Sequence, residues 1–420
     1  MDIALIAMAN KTLLKSRDSE VLIGDGIILD LGRNLPVPAD TDVIDVGNCL
    51  ISSSFVDVHV HFREPGYSYK ETIASGSRAA ARGGYGAVCT MPNLDPVPDT
   101  PEHIAVQQEI IDRDAVIDVF PYASITIGRK GSELVDMDAL KDACIAFSDD
   151  GSGVQDDEMM RAAMKKAAEI DAIIAAHCED NSLLRGGYIH DGRWCAAHGH
   201  KGICSESEWG QIARDLKIAE ETGCRYHVCH ISTKESVQLI REAKTRGVKV
   251  TCETGPHYLV LCEDDMQEEG RFKMNPPLRS AEDRDALVEG LLDGTIDVVA
   301  TDHAPHSAEE KSRGLAGSAM GVVGIETAFP VLYTGLVKTG RMTMDRLLEV
   351  MSAAPRRLFG IGGGLEKFMP ADLVVIDLED KYTIDTADFL SMGKATPFEG
   401  AEVYGRVKMT FKDGNIVYKA

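Results

Sequence analysis

The chain has 420 residues, 44% of them hydrophobic, and a formal charge of -23. That is long for one average domain and suits a large barrel plus a smaller unit. The apolar share excludes a disordered chain, and a field this negative argues against nucleic acid or an anionic membrane surface as a partner. The opening Met1-Asp-Ile-Ala-Leu-Ile reads as a short strand with no basic stretch before it, so no signal peptide is expected. No run approaches the roughly 20 apolar residues of a membrane helix. The 10 cysteines include no Cys-x-x-Cys pair and read as buried thiols rather than a disulfide framework, which makes the cytoplasm the expected compartment.

Along the chain, short β-like pieces come first, at Glu20–Ile23, Gly26–Asp30 and Asp42–Asp45. Apolar runs then alternate with helical spacing. Strands are expected at Ser54–His61, Ala87–Asn93, Ile117–Ile125, Ile145–Asp149, Ala172–His177, Arg225–His230, Lys249–Thr254 and Asp297–Asp302. Helices are expected between them at Lys70–Arg82, Pro101–Arg113, Glu133–Lys141, Asp156–Glu169, Glu208–Thr222, Lys234–Arg246 and Ala281–Leu292. Thr100 before Pro101, and Ser232 or Thr233 before Lys234, are capping signals. Strict alternation of this kind predicts an α/β chain whose parallel strands close into a (β/α)8 TIM barrel, here residues 53–362. Helices near Met342–Met351 and Pro355–Phe359 finish it. Beyond it lie Leu373–Ile376, Val403–Phe411 and Asn415–Tyr418, with Asp413-Gly414 as a hairpin turn. Neither end has enough strands to stand alone, so residues 1–52 and 363–420 are expected to pair into one small β-sandwich.

Asp57-Val58-His59-Val60-His61 carries the strongest chemical signal. Residues two apart in a strand point the same way, so both imidazoles share a face and the valines take the other. Alone this fits two unrelated histidines. However, Asp149-Asp150 ends the fourth strand, His177 the fifth, His230 the sixth and Asp302 the eighth. In a parallel barrel these ends converge on one rim, where active sites are built. Four imidazoles with carboxylates suit zinc. His103, His190, His198, His200 and His227 read as surface or packing groups; His257 lies near the rim, and His303 reads as structural.

The set His59-x-His61, His177, His230 and Asp302 resembles the amidohydrolase superfamily, whose members use a metal-activated water in a (β/α)8 barrel. Within it, His61-Phe-Arg-Glu-Pro-Gly66, Met91-Pro-Asn93, Lys273-Met-Asn-Pro-Pro-Leu-Arg279 and Asp302-His-Ala-Pro-His306 are similar to dihydroorotases over essentially the whole chain. The resemblance implies that His59, His61 and Asp302 hold one zinc ion and His177 and His230 a second, with Asp150 bridging. It thus places the chain in the branch where aspartate replaces a carboxylated lysine, with one or two ions per subunit. It also implies Asp302 as the proton carrier. Arg63 would bind a ring carboxylate, helped by His61, Asn93, His306 and Asn275 and by the main chain of Met320 and Gly321. Arg63 has the planar fork that such a group needs. The bland alternatives are a surface arginine at 63 and a turn former at Asn93. The implied substrates are N-carbamoyl-L-aspartate and L-dihydroorotate, in pyrimidine biosynthesis. A homodimer is expected from the resemblance, with aspartate transcarbamoylase as a candidate partner. The Gly-, Ala- and Ser-rich segment 305–323 is a candidate lid.

Two rival readings remain. Hydantoinases, dihydropyrimidinases and allantoinases share the barrel but act on rings without that carboxylate and typically keep the bridging lysine. A non-catalytic relative would have lost metal ligands, and here all are present.

Overall fold

The computed structural model describes residues 10–420; the strand expected at Met1–Ile6 lies outside them. The first strands are β1 (Lys11–Lys15), β2 (Glu20–Gly24), β3 (Ile27–Gly32), β4 (Asp42–Asp45) and β5 (Leu50–Ser53). The first three form an antiparallel meander, and β4 adds to β1 in parallel.

Then the barrel begins. β6 (Phe55–Val60), β7 (Tyr85–Thr90) and β8 (Asp118–Pro121) are parallel neighbours. The fourth strand, expected over Ile145–Asp149, shrinks to one pairing residue: Phe147 bridges Ala123 on one side and Ile174 on the other, both in parallel. The reason lies in the next side chain but one. Asp149 Oδ1 accepts from the amides of Ile125 and Thr126 at 2.8 and 3.1 Å, so a carboxylate takes the donors a longer ladder would have used. β9 (Ile173–Ala176) follows, then a short parallel pair, β10 (Ile189–His190) with β11 (Gly202–Ile203), inside the next loop. β12 (Arg225–Val228), β13 (Val250–Thr254) and β14 (Val298–Val299) complete the order. Closure comes where Val60 pairs with His303 and the His61 amide donates to the His303 carbonyl at 2.9 Å.

One apolar cluster lines the inside of the ring, with Val56, Val58, Ala87, Cys89 and Ala175. A larger one joins the outward strand residues, such as Val60, Val88 and Ile174, to the helices. Val58 and Val60 therefore do not share a face as simple alternation suggested. The ladder shifts register between Asp57 and Val60, and that irregularity re-aims the strand end bearing the histidines. Helices stand close to expectation at Ile73–Arg82, Pro101–Asp114, Asp157–Glu169, Glu206–Thr222, Lys234–Thr245 and Ala281–Asp293. Thr100 and Thr233 both cap, each accepting at 3.2 Å from the amide three residues on. The helix expected over Glu133–Lys141 is only Met137–Leu140. A helical stretch from Ala328 to Val337 escaped the sequence reading, and another runs unbroken from Met344 to Phe359.

β15 (Leu373–Thr383), β16 (Glu402–Lys412) and β17 (Asn415–Lys419) form a second sheet that β5 joins at its edge. Asp413 and Gly414 both have positive φ, as the two-residue hairpin between β16 and β17 requires. Leu14, Val21, Ile23 and Ile28 of the first sheet pack against Ile51, Leu373, Val375 and Phe411 of the second.

Arg356, buried on the last helix, donates to the carbonyl and hydroxyl of Ser54 at 3.2 and 3.0 Å, fastening that helix to the start of β6. Arg356→Met leaves the Ser54 hydroxyl unpaired and its carbonyl with the Ser352 hydroxyl alone, and is expected to cost about 1–3 kcal/mol. The check is the urea midpoint at unchanged slope; a midpoint that does not move would show that this tie contributes nothing.

Candidate metal centre and active site

Five strand ends deliver imidazoles and carboxylates to one buried point. His59 Nδ1 donates to Glu253 Oε1 at 2.6 Å. That hydrogen bond puts the ring proton on Nδ1 and leaves Nε2 with its lone pair facing inward. His59 Nε2 lies 3.4 Å from Asp150 Oδ1 and 3.6 Å from Asp302 Oδ1. His61 Nε2 is 3.0 Å from Asp302 Oδ1 and 3.6 Å from Asp150 Oδ2. On the other side, His177 Nδ1 and His230 Nε2 are 2.9 Å apart, at 3.8 and 3.6 Å from Asp150 Oδ1. Asp150 thus reaches both groups of histidines.

His59 Nε2 and Asp150 Oδ1 are buried without any hydrogen-bond partner. A tetrahedral ion with donors at about 2.0–2.2 Å separates those donors by roughly 3.3–3.6 Å. Four of the distances above, between 3.4 and 3.6 Å, have that spacing, and the unpartnered atoms are of the kinds that bind metals, so these residues fit a divalent ion. His59, His61 and Asp302 form one compact set and His59, Asp150 and His230 another. Burial works against charge on Asp150 and Asp302, yet the surrounding imidazoles hold both below the ordinary carboxylate range. His59 also feels burial first, but Glu253 and Asp150 outweigh it and favour positive charge at this ring, which a cation on Nε2 would supply in place of a second proton.

The neighbouring acid does something else. Asp149 turns away to the loop after β8 and also accepts from the Thr126 hydroxyl. Lys141 and Lys165, the lysines nearest in sequence, are both exposed and point to no bridging role.

Arg63, Asn93, Asn275, His306, Met320 and Gly321 line one cavity of about 290 Å³ together with His61, Asp150, His177, His230 and Asp302. Its size is at the small end for ligand pockets. Arg63 Nε donates to the Pro305 carbonyl at 3.2 Å. Asn93 Nδ2 donates to the Asp150 carbonyl and Oδ2 at 2.9 and 3.2 Å, and Asn275 to Glu179 at 3.1 Å. Gly321 has φ +126, and a Cβ there would lie 3.1 Å from His306 Nε2, so only glycine leaves this wall open. Arg63, His230 and Asp302 all have positive φ without being glycine, a strained conformation that clusters at working sites.

Sequence reasoning missed Glu253. This fully buried carboxylate on β13 holds His59, accepts from His227 Nε2 at 3.1 Å and from the His230 amide at 3.3 Å. Its signal was a lone acid in an otherwise apolar run, Val250-Thr-Cys-Glu-Thr254. His227 is accordingly no mere packing group, since it braces the acid that orients His59. His257 is buried against Tyr258, ring centroids 4.0 Å apart, and His303 reaches toward Glu71 at 3.6 Å.

The segment 305–323 contains helices Ala308–Lys311 and Gly314–Gly317. Lys311 is buried, and its ammonium donates to three main-chain carbonyls, of Lys273, Ala319 and Gly321, at 2.9, 2.8 and 2.6 Å.

The sequence profile described as Dihydro-orotase-like matches residues 48–236. A dihydroorotase from Bacillus caldolyticus is 51% identical over 404 residues, covering 96% of this chain and 95% of the relative. One from Bacillus cytotoxicus is 49% identical over 404 residues, covering 96% and 94%. The chain belongs to the dihydroorotase family. The L-hydantoinase (dihydropyrimidinase) structure from Arthrobacter aurescens superposes with a TM-score of 0.88 at 27% identity, covering 98% of this chain and 96% of that one. For the dihydropyrimidinase from Brevibacillus agri the TM-score is 0.84 at 22% identity over 98% and 95% of the two chains, a likeness of fold alone. These likenesses accord with a TIM barrel carrying a β-domain, as found in this member of the dihydroorotase family.

Two predictions follow from this geometry. Asp150→Ala is expected to lower bound metal per chain, whereas Asp149→Ala, which empties only a loop contact, should retain it; elemental analysis of both variants decides, and the reverse ranking would make Asp149 the ligand. The second concerns Lys311, whose pKa burial first, and then Lys273, lowers from 10.5 to about 7. The unfolded chain therefore binds more protons than the folded one between those values, so this group's destabilising effect is full below pH 7 and vanishes above 10.5. Lys311→Met removes that effect. The stability difference between variant and wild type should thus shift in the variant's favour as pH falls through this window. A difference independent of pH would refute a depressed ammonium here.

Proposed function

We propose that this chain interconverts N-carbamoyl-L-aspartate and L-dihydroorotate plus water, the ring-closing step of pyrimidine biosynthesis. The observation that carries this is one cavity with two unlike walls. A cluster of imidazoles and carboxylates forms one, while Arg63, Asn93 and His306 crowd donors along the other. An amide to be cleaved and a carboxylate to be held are what such a cavity would take together. Family membership supports the same reading.

By donor type the metal is zinc, as histidine-rich sets with carboxylates favour it. His59, His61 and Asp302 would hold one ion, His177 and His230 a second, and Asp150 would bridge. When bound, zinc supplies hydroxide from water near neutral pH and a positive charge for the amide oxygen. Asp302 takes the proton of the attacking water and delivers it to the departing ring nitrogen, a base that becomes an acid. Arg63 fixes the ring carboxylate with its planar fork. Asn93, Asn275, His306 and the main chain of Met320 and Gly321 orient the ring, and His61 borders it from the metal side. Glu253 keeps His59 in the tautomer that offers Nε2 inward.

The proposal also takes residues 53–362 as the barrel and 1–52 with 363–420 as the sandwich, a division supported by the apolar core their two sheets share. A homodimer and aspartate transcarbamoylase as partner are carried over from the resemblance, and a cytoplasmic location from the reading of the cysteines as free thiols. Among the described residues no helix is long and apolar enough to cross a membrane.

A hydantoinase-like activity is the competing reading, and Arg63 speaks against it. The zinc-loaded enzyme should hydrolyse dihydroorotate far faster than dihydrouracil, and Arg63→Met should raise KM for dihydroorotate by an order of magnitude or more, since hydrogen bonds to charged groups are worth about 1.5–3 kcal/mol. Equal efficiency on the two rings in the wild type would hand the site to the competing reading.

A further inference from the structure

Beside the cavity, one lysine has no part in the chemistry above. Lys70 closes the turn that begins at Arg63. The Tyr67 amide donates to the Arg63 carbonyl at 2.8 Å and the Lys70 amide to the Tyr67 carbonyl at 2.9 Å. Glu64 anchors the far end by accepting from the Ile73 amide at 2.8 Å. The Lys70 ammonium then lies 2.9 Å from Glu310 Oε1 and 3.2 Å from His306 Nδ1, with the rings of Tyr67 and Tyr69 at 5.8 and 5.5 Å. Its side chain is 14% exposed, so this is no loose surface pair.

The partners of His306 allow one proton arrangement. An ammonium can only donate, so Nδ1 must present its lone pair to Lys70. A carbonyl can only accept, and Nε2 lies 2.7 Å from the Met320 carbonyl, so the ring proton sits on Nε2. Arg63 Nη2 stands 3.5 Å from that same nitrogen. Neither can accept from the other, so two donors face one another across the cavity edge. An anion placed there receives from Arg63 and shares the Nε2 proton with the Met320 carbonyl.

We propose that Lys70 is a specificity-determining positioning residue: held by Glu310, it fixes His306 as the neutral tautomer protonated on Nε2, and so makes the Arg63–His306 wall a cradle in which no imidazole lone pair faces a ring carboxylate. The inference rests on the reading of the cavity just given and names the device behind its selectivity. Without Lys70, Glu310 Oε2, 3.5 Å from Nδ1, competes with the Met320 carbonyl for the ring proton. With the proton on Nδ1, Nε2 would turn a lone pair toward the incoming carboxylate and repel it.

The test compares Lys70→Met and Lys70→Arg with the wild type as zinc-loaded enzymes. Lys70→Met should raise KM for dihydroorotate on the order of tenfold, as expected for one charge-assisted contact, with kcat within about twofold and hydrolysis of dihydrouracil unaltered. Lys70→Arg, still a pure donor, should recover most of the loss. Calorimetric binding of orotate, an unreactive ring carboxylate, should weaken by the same factor and reads the cradle apart from turnover. KM and orotate binding within twofold of wild type would overturn the proposal. So would equal losses on both rings, or a loss that Lys70→Arg does not repair, since either marks a merely structural lysine. Failure of the parent reading shows separately, in the wild type's own preference between the two rings.

Discussion

Everything at the rim depends on burying the Asp150 carboxylate among four imidazoles. A lone carboxylate carried out of water is costly, and in practice it is kept only if paired or bound to a cation. Here the compensation is layered. His59, His61, His177 and His230 surround the acid, and Glu253 in turn holds His59 and braces the loop at His230. Asp57 accepts from the His59 amide at 3.0 Å and from the Thr301 amide beside Asp302 at 3.1 Å, tying the first strand to the eighth. Barrel closure and the candidate metal cluster are thus one construction, because the contacts that join β6 to the segment after β14 also aim the histidines and Asp302.

Much of this could be read from residues alone. Eight alternating apolar runs needed a parallel ring, and Asp150, His177, His230 and Asp302 stood at the ends of such runs. The hairpin at Asp413-Gly414 was equally plain, since few residue pairs tolerate positive φ twice in succession. What escaped was set by tertiary contacts. Propensity cannot show that Asp149 would cap the loop after β8 and end the fourth strand after a single pairing. Nor does alternation reveal the register shift between Asp57 and Val60, which separates Val58 from Val60. Glu253 was hidden for a different reason. A buried acid acquires meaning only from the His59 ring brought to it across 194 positions of sequence.

The charge of the whole chain and the character of the cavity point in opposite directions. A protein at -23 repels anions at long range, but screening confines that field to about 8 Å at physiological ionic strength. Within the cavity the nearby Arg63 guanidinium counts for more than the distant excess of acids. His306 stays neutral there, with its pKa lowered to about 3 by burial and then by Arg63 and Lys70. Selectivity for an anion in this setting depends on where hydrogens point more than on how many positive charges are gathered.

Lys311 has a further consequence for the wall it holds. Its three acceptors are all main-chain carbonyls, so the staple recognises backbone path and is indifferent to side-chain identity at Lys273 and Ala319, while Gly321 is held to glycine by its own φ. The turn from Ser312 to Gly317, much of it exposed, hangs outside that staple. Apart from Leu315, which is buried in the main core, its side chains are therefore free to drift or to be exchanged by design while the cavity wall behind them keeps its shape.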